Sequence, residues 1–358
     1  MQHLTFISIL LAFLSLVHSA TSMPMQRATY NNPIVAGVAA DPWIIKHGDD
    51  YYLTFTTGTD VQLRKSSNLA EINVKPTTVY TPPKGGNLSA VWAPELHYIG
   101  GKWYIYVAMV EGSDANNHHM YVLEGKSQEP LDGFDFVGEV GTPDNNWAID
   151  GTIFQYTNGD LYFIWSGWAN TTDKLWQSLY IAKMDSPTKI TSERVLLHQP
   201  IPKWQQTVDG GAVRGINEGP EILVHNNRTF LIYSVAASWT EDYSLAMMGI
   251  DGGKDPRTSH PPAVSRLDSR IRTVDASNWW TLDSRPVFSK SKAAFGPGHA
   301  SFTYDHDGTP YIVYHAMANA TAGWNGRTIR AQSFGWNKDG SPAFSSPVGL
   351  TTELKLPA

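Results

Sequence analysis

The sequence predicts an all-β fold, a single-domain, five-bladed β-propeller with four-stranded blades. Three observations predict it. One strand–turn–strand pattern recurs five times along the chain. Each recurrence turns on residues that tolerate positive φ. No stretch carries the period of a long amphipathic helix.

The first unit opens at Asp41-Pro42-Trp43, turns at Gly48 and returns on Tyr51-Tyr52-Leu53. The second opens at Trp92-Ala93-Pro94, turns at Gly100-Gly101 and returns on Trp103-Tyr104-Ile105-Tyr106. The third runs from Asp150-Gly151-Thr152 through Asn158-Gly159 to Leu161-Tyr162-Phe163. The fourth runs from Glu218-Gly219-Pro220 through Asn226-Asn227 to Phe230-Leu231-Ile232-Tyr233. The fifth runs from His299-Ala300-Ser301 through Asp307-Gly308 to Tyr311-Ile312-Val313-Tyr314. Aromatic and β-branched residues fill the returning strands, as strand propensity favours. Repeated hairpins suit blades around an axis, whereas a β-sandwich gives no reason for one pattern to recur. The propeller is set at residues 30–358. The stretch from Gly252 to Pro262 reads as a loop inserted between the last two units, and strands near the two termini are expected to complete one blade together.

The chain has 358 residues, 42% hydrophobic and 17% charged, ample for a large core. It contains no cysteine, so stability must come from packing or sheet closure rather than disulfides. The net charge of −6, without a basic cluster, argues against a nucleic-acid partner. The apolar run Ile7–Val17 is too short to span a bilayer and is followed by the small residues Ser19, Ala20 and Ser22. Residues 1–19 therefore read as a signal peptide, and no later stretch is apolar enough to be a membrane span. Sequons at Asn87, Asn170, Asn227 and Asn319 add to the expectation of a secreted, extracellular, N-glycosylated protein.

Counting back from the returning strands puts Trp92, Asp150, Glu218 and His299 at one register position, with Asp41 offset by one residue. In a propeller such positions converge at the channel mouth. Carboxylates brought together raise each other's pKa values and cost stability, so a purely structural role explains them poorly. Chemistry can use them. Cleavage of a glycosidic bond needs one carboxyl protonated and one ionised, and a third group can tune the acid.

The motifs Ala40-Asp41-Pro42-Trp43, Trp92-Ala93-Pro94-Glu95, Ala148-Ile149-Asp150-Gly151-Thr152, Asn217-Glu218-Gly219-Pro220 and Gly296-Pro297-Gly298-His299 occur in order. With them the sequence resembles glycoside hydrolase family 43 from about Asn32 onward. The resemblance implies a five-bladed propeller and an inverting enzyme acting on arabinose or xylose linkages. It implies Asp41 as general base, Glu218 as general acid and Asp150 as modulator of the acid's pKa. It matches His299 to a histidine that helps hold a hydrated ion, often calcium, near the axis; a structural histidine is the other reading, and the chemistry itself requires no cofactor. It matches Arg327 to a sugar-contacting arginine, with Arg330 competing for that role. Trp92 could wall a sugar pocket or pack the channel.

The stretch from Trp92 to Tyr106 looks most like the exo-acting α-L-arabinofuranosidase branch. The implied substrate is arabinan or arabino-oligosaccharide of the plant cell wall, cut at terminal α-L-arabinofuranosyl residues. β-Xylosidase, endo-1,5-α-L-arabinanase and a non-catalytic carbohydrate-binding propeller stand as alternatives. Inversion asks for about 6.5–9.5 Å between the Asp41 and Glu218 carboxyls. Glu95 and Glu221 fall off the register and read as structural. The pairs His118-His119 and Trp279-Trp280 read as solvated loop residues, and Trp43 as core.

Overall fold

The computed structural model describes residues 29–258 and 278–357. The leader expected at 1–19, and residues 259–262 of the expected insertion, lie outside them. The described residues form an all-β structure whose helices are short 3-10 turns. None of them is long and apolar enough to cross a membrane.

Turn chemistry builds the hairpins. Ile99 pairs with Lys102 and His225 with Arg228, leaving two-residue turns. Gly100 and Gly101 have φ of 58° and 84°, and Asn226 and Asn227 have 48° and 59°. Positive φ at both turn residues gives a twist that matches the flanking strands. In the third and fifth units, Gln155 pairs with Leu161 and Tyr304 with Pro310, so residues 156–160 and 305–309 form longer turns.

The first unit is a four-stranded sheet of Trp43–His47, Asp50–Thr54, Val61–Ser66 and Thr77–Tyr80. The second is a four-stranded sheet of Leu88–Ile99, Lys102–Glu111, His118–Gly125 and Phe134–Glu139. The third begins with Ala148–Gln155, Leu161–Trp168 and Trp176–Ser186. The fourth contains Ala212–His225, Arg228–Val235, Ser244–Asp251 and Trp279–Thr281. These two share one ten-stranded sheet because Trp176 and Gln177 pair in parallel with Gly215 and Ile216. The fifth has three strands, Phe295–Tyr304, Pro310–Met317 and Arg327–Ser333, rather than the expected four. The early chain runs beside its last strand: the Ile34 N–H donates to Ile329 O and the Ala39 N–H to Arg327 O. Thr29 and Tyr30 pair with Lys355 and Leu354. The two ends do meet at this unit, as a separate short ladder.

The core lies between units. Tyr106 and Phe163 pack in the cluster joining units two and three, and Ile164 and Leu231 in that joining three and four. Phe230 and Tyr314 join four to five, and Leu63 and Ile105 join one to two. Leu53 and Val313 join the first unit to the fifth, so the series closes on itself. Each fully buried side chain of this size contributes about 1.5–3 kcal/mol, a source of stability that needs no disulfide. His118-His119 and Trp279-Trp280 belong to strands, not solvated loops; His118, His119 and Trp279 are buried. His118 stacks on Trp92, and Trp279 packs in the cluster that joins units three and four.

Candidate active site

In four of the five units the opening strand breaks its ladder at the matching place. Register shifts fall between Trp92 and Glu95, Ile149 and Thr152, Glu218 and Glu221, and Gly298 and Ser301. The residue there adopts positive φ: 40° at Ala93, 53° at Asp150, 53° at Gly219 and 46° at His299; in the first unit Asp41, two residues ahead of its strand, has φ 59°. These bulges re-aim side chains toward a common centre. They also correct the register count. Asp41, Asp150 and His299 are equivalent, but Ala93 and Gly219 stand at that place in the other two units. Trp92 and Glu218 sit one residue earlier. The longer turns in units three and five shift any count made back from the returning strands.

Left-handed backbone at a residue with a Cβ costs about 1–2 kcal/mol. Neighbouring units hold most of the bulges in place. The Asp41 N–H donates to His315 Nδ1 at 3.1 Å, and the Ala93 N–H to Thr56 Oγ1 at 2.8 Å. The Gly219 N–H donates to Asp150 Oδ2 at 3.0 Å, and the His299 N–H to Ser234 Oγ at 2.7 Å. In each case the acceptor belongs to the preceding unit, and for Asp41 that unit is the fifth.

The result is a cavity of about 400 Å³ lined by Asp41, Asp150, Glu218, Trp92, His299 and Arg327, among others. The Asp41 carboxylate accepts from Thr56 Oγ1 at 2.8 Å and from Arg327 Nη1 at 3.3 Å. His299 Nδ1 and His315 Nδ1 lie 3.4 and 3.3 Å from its Oδ1. Burial pushes the Asp41 carboxyl up, but His299, Arg327 and His315 outweigh it and hold the group well below the usual carboxylate range. Arg327 supplies the lasting positive charge. Burial lowers both imidazoles, His315 to about 4, so they are neutral at pH 7.

Glu218 is the opposite case. Its Oε1 accepts from the Tyr243 hydroxyl at 2.8 Å and its Oε2 from Gln177 Nε2 at 3.2 Å. Burial pushes it up to about 7; the Asp41 charge helps, while the Tyr243 and Gln177 hydrogen bonds oppose. Asp150 is fully enclosed, and burial followed by the Glu218 and Asp41 charges raises it well above its ordinary value. Near neutral pH the cavity therefore holds an ionised Asp41 beside a Glu218 that titrates there, with Asp150 raised above its ordinary value.

Arg327 and Arg330 separate cleanly. Arg327 reaches the cavity, whereas Arg330 is fully buried and donates to Val348 O at 2.8 Å. Trp92 lines the cavity and stacks on His118, with ring centroids 3.8 Å apart. Trp43 lies deeper, its Nε1 donating to Leu96 O. Below the carboxylates, a space of about 10 Å³ is bounded by Asp41, Glu95 and His299 and by Pro42, Pro94, Pro220 and Ala300. That is room for one water molecule. Glu95 and Glu221 are buried one step further along their strands. Thr56, Gln177, Tyr243 and His315 escaped sequence reasoning, because none stands at the repeated register position.

An ionised carboxylate and one raised to about 7 on one small cavity suit acid–base chemistry. Residues 30–342 match the family described as glycosyl hydrolases family 43, and the chain belongs to that family. It is 34% identical over 343 residues to an extracellular exo-α-(1→5)-L-arabinofuranosidase of Streptomyces avermitilis, covering 92% of this chain and 66% of that protein. A protein of the same name from Streptomyces chartreusis is 31% identical, with 81% and 83% covered. The crystal structure of an α-L-arabinofuranosidase from Lactobacillus brevis superposes with a TM-score of 0.77 at 30% identity, covering 90% of this chain and 98% of that one. The chain spans just under two thirds of the length of the Streptomyces avermitilis protein and 62% of a Humicola insolens arabinofuranosidase.

Proposed function

We propose that this protein is a secreted, inverting exo-acting α-L-arabinofuranosidase that releases terminal arabinose from arabinan or arabino-oligosaccharides. The observation that carries the reading is the opposed state of Asp41 and Glu218 on one cavity: burial pushes Glu218 up, while the Arg327 guanidinium, 3.3 Å away, keeps Asp41 ionised against its own burial. Asp41 is the general base. It takes a proton from water as the water oxygen bonds to the anomeric carbon. Glu218 is the general acid and gives its proton to the glycosidic oxygen as the bond from that carbon breaks. Asp150 accepts the N–H of Gly219, next to Glu218, and so orients the acid, and it serves as the modulator of the acid's pKa. Arg327 and Trp92 contact the sugar.

The names of the relatives support arabinose over xylose and chain-end action over cleavage within the chain. The closed series of inter-unit clusters supports a ring of five blades. The leader at 1–19 supports secretion. Asn87, Asn170, Asn227 and Asn319 are exposed, which suits glycosylation. The chemistry needs no cofactor, and no step passes through a metal.

The test is hydrolysis of arabino-oligosaccharides by Asp41→Asn and Glu218→Gln, with the first-formed anomer followed by NMR. Each variant is expected to lose roughly 10²–10⁴-fold in rate. The wild-type product is expected to appear first as β-L-arabinofuranose. Wild-type rates in both variants would overturn the site assignment, and α-arabinose as first product would overturn inversion.

A further inference from the structure

We propose that Tyr243 is a positioning residue that decides which oxygen of Glu218 carries the transferred proton. The inference rests on Glu218 being the general acid. Tyr243 is fully buried and does not line the cavity, so it acts through Glu218 rather than on the sugar. Its hydroxyl lies 2.8 Å from Glu218 Oε1. A protonated carboxyl has one oxygen that only accepts and one that bears hydrogen. The shorter hydrogen bond, from the Tyr243 hydroxyl, favours Oε1 as the carbonyl-type oxygen, and Oε2, which accepts the longer one from Gln177, can do so while bearing the proton. That oxygen faces Gln177, and Gln177 lines the cavity. The proton is thus held on the side from which a leaving oxygen can take it. Once it has left, the same hydroxyl stabilises the carboxylate that remains.

The fold gives Tyr243 one seat. Its ring lies parallel to His315, with centroids 5.4 Å apart and planes 2° apart. His315 in turn accepts the backbone N–H of Asp41. A Cβ at position 298 would lie 2.3 Å from the Tyr243 ring, so Gly298 leaves the space that the ring fills. One aromatic ring therefore braces the supports of both carboxyls.

Tyr243→Phe keeps the ring and removes only the donor. Two substrates separate a positioning role from a structural one. An arabino-oligosaccharide leaves as a sugar alkoxide and needs the proton. A dinitrophenyl arabinofuranoside leaves as a stable phenolate and does not. The variant is expected to lose roughly tenfold or more in kcat on the oligosaccharide and to stay within about threefold on the aryl substrate, with KM for the latter unchanged. The basic limb of the oligosaccharide pH profile is expected to move to higher pH, because Glu218 loses a hydrogen bond that favours its ionised form. Equal losses on both substrates, or no loss on either, would overturn the proposal. Glu218→Gln is the control. If it too fails to discriminate between the substrates, the acid assignment itself is wrong. If it discriminates while Tyr243→Phe does not, only the role of Tyr243 fails.

Discussion

At the scale of single residues, the site works because similar groups sit in dissimilar surroundings. Asp41 and Glu218 line the same cavity, yet only Asp41 has a guanidinium within 3.3 Å. Arg327 thus keeps the base ionised against its own burial. Removing that charge while leaving a polar side chain should let burial win. In Arg327→Gln the acid limb of kcat/KM is expected to move to higher pH, whereas Arg327→Lys should keep it low. Both variants should raise KM if the side chain also touches the sugar. An acid limb that stays in place in the glutamine variant would assign the ionisation of Asp41 to something else. Motifs made Asp41, Asp150 and Glu218 legible in the sequence, each beside a Pro or Gly that bends the backbone. Thr56, Gln177, Tyr243 and His315 were not legible, because each reaches the site from another unit or another part of its own. Their identity as ligands of the carboxyls is a tertiary fact. For Arg327 and Arg330, three positions apart in one strand, only strand orientation decides, and it turns one to the cavity and the other into the core.

At the scale of elements, the recurring bulge is the device that delivers side chains to the site. The hairpins themselves could be read from their turn residues: Gly48, Gly100, Gly101, Gly159, Asn226, Asn227 and Gly308 have positive φ, whereas Asn158 and Asp307, expected beside two of them, do not. The bulges could not, since they show only as broken pairing. An unequal turn length then placed Glu218 in register with Asp150, although Gly219 is the true equivalent. Chemistry explains the choice of glycine there. At φ 53°, a Cβ on residue 219 would be strained and would lie 3.1 Å from the His299 ring. Gly219→Ala is expected to cost about 1–2 kcal/mol in a melt and to lower activity with it, because the next residue back is the acid. Ala93→Gly removes the same backbone strain at the matching place. Strain relief and the added freedom of the unfolded chain offset one another, so its stability should stay within about 0.5 kcal/mol of wild type. Equal melting temperatures for wild type and Gly219→Ala would mean that the left-handed bulge is not what glycine serves.

At the scale of the whole molecule, closing the series of units brings side chains together that no single sheet would. Glu95 comes from the second unit and Glu221 from the fourth, and both are buried. They read as structural in the sequence, and their burial agrees, but their electrostatic cost was hidden because it depends on closure. Burial raises both carboxyls well above their ordinary values, and the nearby Glu221 charge raises Glu95 further. Glu95 faces His97 at 2.9 Å, but burial lowers that imidazole to about 3, so it offers no cation. Glu221 Oε2 has no hydrogen-bond partner among the described residues. A carboxyl whose folded pKa is raised binds its proton more tightly in the native state than in the unfolded chain. Stability linked to it is complete below the ordinary value near 4.5 and falls as pH rises toward the folded value. The pair is therefore a built-in penalty at neutral and alkaline pH. Glu221→Gln keeps the shape, removes the titration and should raise the melting temperature at pH 8. At pH 4, where the native carboxyl already holds its proton, the variant and wild type should melt alike. Melting curves at the two pH values decide it: a gain of equal size at both would trace the effect to packing, and no gain at pH 8 would mean that the folded ring already accommodates the charge.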